Sequence, residues 1–223
     1  MVRQLRLSLE RPAAYNRDDF QAGAANAQAL ATLATWPNWH GGCLVLVGPE
    51  GVGKTHLARV WAAETGAAML ERLTPDLAAA AGRPALIEDV DRGAPAEALF
   101  HLINMAAREG ASLLLTARTP PAAWPAEVPD LRSRLNALPV AEIQEPDDEI
   151  LEAVLRKFFR QRSIRPTKDV YPYLLRRMER SIPYAREIVM RLDEAADAAG
   201  RPVSRALARS VLEGDNQNLD LFP

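Results

Sequence analysis

The sequence predicts an α/β fold in which a parallel five-stranded sheet with flanking helices is followed by a small all-α module. Three observations lead there. Strand-length apolar runs alternate with helix-length segments through the first two thirds of the 223 residues, the pattern of a parallel sheet with crossover helices. After Glu145-Pro146 only helical patterning remains. Between the first predicted strand and the first predicted helix lies a glycine-rich loop ending in Lys54-Thr55, placed where such a sheet presents its carboxyl edge.

The strands are short and apolar, as strands covered on both faces must be. They are expected at Leu44 to Val47, Ala67 to Arg72, Ala85 to Ile87, Ser112 to Thr116 and Val140 to Ile143. Helices are expected from His56 to Glu64, stopped by Gly66, and from Glu97 to Arg108, which lines up Leu99, Leu102, Ile103 and Ala106 before Gly110. The carboxyl-terminal module reads as helices over Asp147 to Ser163, Lys168 to Met178, Pro183 to Ala199 and Ser204 to Leu212. Asp147-Asp148 and Thr167 are expected caps, Pro183 suits a first turn, and Gly200 a helix stop. The expected organisation is a leading segment 1–14, a core 15–146, a helical module 147–213 and a tail 214–223.

Composition excludes several classes. With 27 basic and 29 acidic residues the net charge is -2, so no overall positive field draws the chain to nucleic acid. The single cysteine, Cys43, rules out a disulfide framework and a cysteine zinc site, and its apolar neighbours predict a buried, inert thiol. The opening Met1-Val2-Arg3-Gln4 lacks a signal-peptide core and no stretch is long and apolar enough to span a membrane, so a cytoplasmic protein is expected. His40 and His101 have no ligand pattern around them, and Trp36, Trp39 and Trp124 read as packing anchors.

The loop Gly48-Pro49-Glu50-Gly51-Val52-Gly53-Lys54-Thr55 is the firmest functional signal. A strand before it and a helix after it aim backbone N–H groups and the helix dipole at phosphate oxygens, and glycines let the main chain come close. Lys54 would reach the β- and γ-phosphates, and the Thr55 hydroxyl would complete a magnesium shell. The third strand ends in Glu88-Asp89. Paired with the loop, these are the expected acids, Glu88 near Mg2+ and Asp89 orienting an attacking water. Glutamate in place of the more usual aspartate beside the metal suits weak turnover.

Further segments together resemble the DnaA-related branch of the AAA+ ATPases, and the resemblance spans nearly the whole chain. Tyr15-Asn16-Arg17-Asp18-Asp19-Phe20 with Gly23 and Asn26 is similar to the segment that wraps adenine in that family, which implies Tyr15 and Phe20 as nucleotide contacts. His56-Leu57 after Lys54-Thr55 is typical of the branch. Leu115 to Pro121 resembles the sensor I strand and its proline turn, with Arg118 where relatives usually carry aspartate. Leu131-Arg132-Ser133-Arg134-Leu135 resembles the motif whose final arginine reaches a neighbouring subunit's nucleotide, so Arg134 is the implied arginine finger. A guanidinium suits that role because it stays charged and offers a rigid fork of donors. Pro183-Tyr184-Ala185-Arg186-Glu187 resembles the start of the sensor II helix, with Arg186 touching the phosphates. The resemblance implies an AAA+ P-loop core with a helical lid, ADP or ATP with Mg2+ as ligands, and a place in replication initiation. No DNA-reading helix-turn-helix is expected after Leu212, and no long partner-binding segment before Tyr15.

Two peptides flank this core. Gln217-Asn218-Leu219-Asp220-Leu221-Phe222 resembles the hexapeptide that docks on the replicative sliding clamp, with Leu221 and Phe222 as apolar anchors and Gln217 at the rim. Gln4-Leu5-Arg6-Leu7-Ser8-Leu9 resembles the amino-terminal clamp peptide of the shorter, Hda-type regulatory members of this family; the alternation of Leu5, Leu7 and Leu9 leaves an added edge strand as the lesser alternative. The expected partners are therefore DnaA, the polymerase III sliding clamp (its beta subunit) and, through the clamp, DNA, with self-association left open. The leading expectation is a negative regulator that stimulates hydrolysis by ATP-bound DnaA and has weak or no ATPase activity of its own. A stand-alone ATPase or helicase loader, and a clamp adaptor without finger chemistry, remain alternatives.

Overall fold

The computed structural model describes residues 15–219 apart from 110 and 128. The chain passes through α1 (Ala27–Leu33), β1 (Cys43–Val47), α2 (Lys54–Thr65), β2 (Ala68–Leu70), α3 (Leu77–Ala80), β3 (Ala85–Ile87), α4 (Ala96–Glu109), β4 (Leu113–Ala117), α5 (Pro129–Ala137) and β5 (Val140–Glu142). Four helices follow: α6 (Asp148–Gln161), α7 (Val170–Leu175), α8 (Ile182–Ala199) and α9 (Arg205–Leu219). All strands are parallel, in the order β2-β3-β4-β1-β5. The five-stranded α/β architecture expected from the alternating pattern is the one observed.

Every residue of β1 and β4 is buried, because each face has its own layer. Cys43, Val45 and Val47 pack with Leu113, Leu115, Leu99, Leu102, Ile103, Leu131 and Leu135. Leu44 and Leu46 point the other way and pack with Leu57, Ala58, Trp61 and Leu114. A third apolar cluster belongs to the carboxyl-terminal helices, around Leu151, Leu155, Phe159, Leu174, Ile188 and Leu192. Trp39 and Trp36 stack against Trp61, Trp36 Nε1 donates to Ser112 Oγ, and Trp124 Nε1 donates to the Thr119 carbonyl, so all three expected anchors pack.

Boundaries differ where neighbours override local pattern. The second strand spans only Ala68–Leu70, since β2 is the sheet edge and Met69 is half exposed. Ile143 lies past the β5 ladder yet stays buried, its N–H donating to the Val47 carbonyl at 2.8 Å. Asp147 caps α6 as expected, accepting from Ile150 N–H at 2.8 Å. Pro183 follows the cap Ser181, and Gly200 closes α8 at φ +60°. Thr167 is not a cap: α7 starts at Val170, and Thr167 accepts from Val170 N–H through its backbone carbonyl. The helix α9 runs on past Leu212 through Gln217 to Leu219, so the front of the tail hexapeptide is helical rather than extended.

Candidate functional site

The phosphate loop leaves β1 at the sheet's carboxyl edge and opens directly into α2 at Lys54. Gly53, the residue before α2, has φ +102° and supplies no side-chain cap, so first-turn N–H groups of a twelve-residue helix are left for an anion. A side chain there would also meet the Phe20 ring at 3.0 Å. Gly51 has φ +78°, and a Cβ on it would sit 2.8 Å from that of Ser181. Both glycines therefore answer a left-handed backbone and a close neighbour at once. Val52 is buried and Thr55 exposed at the helix's second position.

Lys54 is buried, and its Nζ donates to the Gly48 and Pro49 carbonyls, each at 2.7 Å. Burial pushes its pKa below the ordinary lysine value; Asp89 opposes this most, Arg118 adds to it, and Asp91 and Glu50 oppose it. An ammonium folded onto its own loop's carbonyls has donors ready to turn to phosphate oxygens.

Residues 15–20 wrap the start of α2. His56 Nε2 lies 2.9 Å from the Asn16 carbonyl, and its ring meets Tyr15 and Phe20 at 5.5 and 5.8 Å between centroids. Asn26, 4% exposed, organises the next turn, accepting from Gly23 N–H and donating to the Gln21 carbonyl. Tyr15, Phe20, His56 and Gly53 are thereby gathered into one aromatic corner beside the loop, able to hold an adenine ring.

The acids at the end of β3 part company. Glu88 Oε2 accepts from Arg59 at 2.8 and 2.9 Å, Arg59 also reaches the Tyr15 hydroxyl, and Glu88 Oε1 is buried without a partner. Asp89 turns the other way at φ +52°, its N–H donating to Thr116 Oγ1 at 2.9 Å. Glu88, expected beside magnesium, is thus committed to Arg59, while Asp89 is the carboxylate acting most on Lys54. Asp91 Oδ2 accepts from the N–H groups of Arg118 and Thr119 and from Thr119 Oγ1, fixing the turn after β4. Arg118 itself forms an ion pair with Glu50 of the phosphate loop, a link that an aspartate at that position could not make.

The lid closes the other side. Ile182 N–H, at the start of α8, donates to the Gly51 carbonyl at 3.0 Å, and Ser181 caps Tyr184 N–H. Lys157 of α6 donates to the Asp19 carbonyl and carboxylate, which ties the lid to residues 15–20. Arg186, one turn into α8, is exposed with its guanidinium 5.2 Å from the Phe158 ring.

The two arginines of α5 are used differently. Arg132 donates to the backbone carbonyls of Ala122 and Trp124 and so holds the proline turn. Arg134 rests on Phe100 of α4 at 5.2 Å and lies 3.7 Å from Asp130, with a third of its side chain exposed. Arg59, Asp91, Lys157 and Ser181 carry no sequence signal beyond being polar near a motif; only the fold gives them their partners Glu88, the Arg118-Thr119 turn, Asp19 and Gly51.

Gln4, Leu5, Leu7, Leu9, Leu221 and Phe222 lie outside the described residues, and Gln217 and Leu219 are described only as the end of α9. His40 is exposed and His101 lies 3.9 Å from Glu97; among the described residues no group of side chains could hold a metal ion by itself. Burial pushes the Cys43 thiol up to about 12, which makes it inert at neutral pH. No described helix is long and apolar enough to cross a membrane.

A glycine-rich loop between β1 and α2, acids at the end of β3 and helices seated on the loop give the architecture of a P-loop fold. Residues 44–115 match the family described as ATPase family associated with various cellular activities (AAA). The replication initiator DnaA of Thermomicrobium roseum is 31% identical over 120 residues, which cover 53% of this chain and 26% of that protein. DnaA of Cutibacterium acnes is 27% identical over 94% of this chain and 47% of its own. The chain thus spans about half the length of these relatives, or less. Among solved structures, domain III of Thermotoga maritima DnaA superposes with a TM-score of 0.71 at 18% identity, covering 91% of this chain and 97% of that one. A DnaA bound to AMPPCP and single-stranded DNA gives 0.65 at 17% identity, over 85% and 69%. The Thermotoga maritima RuvB branch migration motor gives 0.60 at 16%, over 84% and 65%. Residues 44–115 are thus similar to the AAA family, and most of the chain is similar in sequence to about half of a DnaA.

Proposed function

We propose that this chain is a cytoplasmic regulator of replication initiation that holds an adenine nucleotide, ADP foremost, and offers Arg134 in trans to stimulate ATP hydrolysis by DnaA. The single observation that carries this reading is the division of labour on α5. Arg132 is spent on backbone carbonyls, whereas Arg134 is half-buried on Phe100 and meets one half-exposed carboxylate at 3.7 Å. A cation so placed serves no local backbone group and is available to a neighbouring molecule.

Adenine would lie in the corner of Tyr15, Phe20 and His56, and the phosphates against the first turn of α2 and Lys54. Thr55 and Asp89 would hold Mg2+ bound with the nucleotide, and Glu88 would join them once released by Arg59. When bound, nucleotide and metal supply the charge that Lys54 and Arg186 answer. The rest is done by this chain: Gly51, hydrogen-bonded to Ile182, makes the lid's position depend on what the loop holds, and α5 is carried on the same core. A tether to the sliding clamp through Gln217 to Phe222, or through Gln4 to Leu9, would bring the finger to DnaA on DNA.

The test is DnaA–ATP hydrolysis in the presence of clamp-loaded DNA, comparing wild type with Arg134→Ala. Arginine fingers are worth about 10³- to 10⁵-fold, so stimulation should disappear while nucleotide binding by the variant stays normal. Undiminished stimulation by Arg134→Ala would leave an adaptor without finger chemistry. Deleting residues 217–222, or changing Gln4, should release the clamp in one case; release in neither refutes the tether.

A further inference from the structure

Away from the nucleotide loop, α7 and the start of α9 enclose a concavity of about 510 Å³ lined by Tyr173, Arg177, Arg205, Ala206, Arg209 and Glu213. Its charges are unbalanced. Three guanidinium groups face one carboxylate, Glu213, which Arg209 holds at 2.6 Å. Arg177 and Arg205 lie over the Tyr173 ring, 4.5 and 5.5 Å from its centroid.

The arrangement costs the helix something. Arg205 is the first residue of α9, where the helix dipole disfavours a cation. Arg205 and Arg209 are four apart on one face, a like-charge pair that disfavours the helix. Three arginines converging against these penalties form a preorganised receptor for carboxylates, because each fork of donors can take one bidentately.

The floor decides between anions. Tyr173 is 4% exposed and lies beneath Arg177 and Arg205, so it offers no open face for stacking a base, the contact on which single-stranded nucleic acid relies. What remains is a small, partly apolar floor ringed by cations, which suits carboxylates flanking an apolar side chain.

We propose that this concavity on the lid docks an acidic peptide segment of a partner protein, with carboxylates on Arg177, Arg205 and Arg209 and an apolar side chain against the exposed Ala206. Glu213 already occupies one of the positions and would give way to the incoming segment.

The experiment titrates the full chain into a short fluorescein-labelled peptide of glutamate and aspartate flanking a leucine, read by anisotropy, beside an oligothymidylate of equal charge. Saturable peptide binding is expected, weakened at least about tenfold by the double variant Arg177→Gln, Arg209→Gln and unchanged by Arg83→Gln on the exposed surface of the core. Arg205→Gln alone should weaken binding several-fold without lowering Tm, because it removes a repelling charge; a purely structural arginine would lower Tm. The proposal is overturned if the peptide does not saturate, if Arg83→Gln weakens it equally, if Arg205→Gln lowers Tm and leaves binding intact, or if oligothymidylate binds more tightly and displaces the peptide.

Discussion

On its sheet side the phosphate loop issues from β1, where Leu44, Val45 and Leu46 are fully buried between β4 and β5. On its lid side it meets α8 through the hydrogen bond from Ile182 to Gly51 and the close approach of Ser181. The first attachment is apolar area, non-directional and expensive to uncover. The second is a handful of directional contacts, joined by Lys157 to Asp19 and by Arg180 to the Pro146 carbonyl. A loop anchored rigidly on one side and by exchangeable hydrogen bonds on the other can transmit its occupancy to the lid while the sheet stays put.

The comparison breaks most easily at its rigid side. Leu115→Ala, in the fully buried centre of β4, is expected to cost about 2–5 kcal/mol and to lower the denaturation midpoint of the whole core. Leu155→Ala, equally buried in the lid cluster, should cost a similar amount but be felt first in amide exchange of α6 and α8. If both variants open the same amides together, lid and sheet are one cooperative unit and the contrast fails.

A smaller effect sharpens it. Gly51→Ala places a methyl against Ser181 at a φ of +78°, so roughly 1–3 kcal/mol of strain is expected. Because the lid contact gives way first, amide protection at the start of α8 and nucleotide affinity should fall together while the sheet's exchange stays unchanged. Smallest is Lys157→Ala. This pair joins a mostly buried ammonium to a half-exposed carboxylate, so a change of about 1 kcal/mol or less is expected, visible as faster exchange across residues 15–20.

Cys43 gives a pH test of the rigid side. Its thiol ionises at about 12 in the fold against 9.0 ordinarily, so the neutral form is favoured by folding. That contribution is complete below pH 9 and drains away as pH rises toward about 12. A thiol reagent at pH 8 should therefore leave the folded chain unlabelled and label it on denaturation.

Much of the molecule was legible because its local signals agree. The apolar strands, the loop at Gly48 to Thr55, the Asp147 cap and the Gly200 stop each carry their own physical reason in a few residues. What escaped was non-local. Nothing around Arg59 says that it will take Glu88, nothing around Asp91 that it will hold the N–H groups of Arg118 and Thr119, and nothing around Ser181 that it will touch Gly51. The helix α1 was missed because only Ala29 and Leu33 of it are buried, too few to mark a face. In the site, motif residues could be named from sequence, but whether Glu88 or Asp89 faces Lys54 depends on a left-handed turn at Asp89 that no spacing encodes.

In the proposed function this nucleotide loop sets the presentation of Arg134, and the hydrolysis promoted is a partner's. This is tested most directly by measuring phosphate release from ATP by the purified chain alone and by DnaA with and without the chain on clamp-loaded DNA. Little turnover alone and a large, clamp-dependent acceleration with DnaA are expected. Robust turnover by the chain alone, with DnaA hydrolysis unchanged, would contradict that reading.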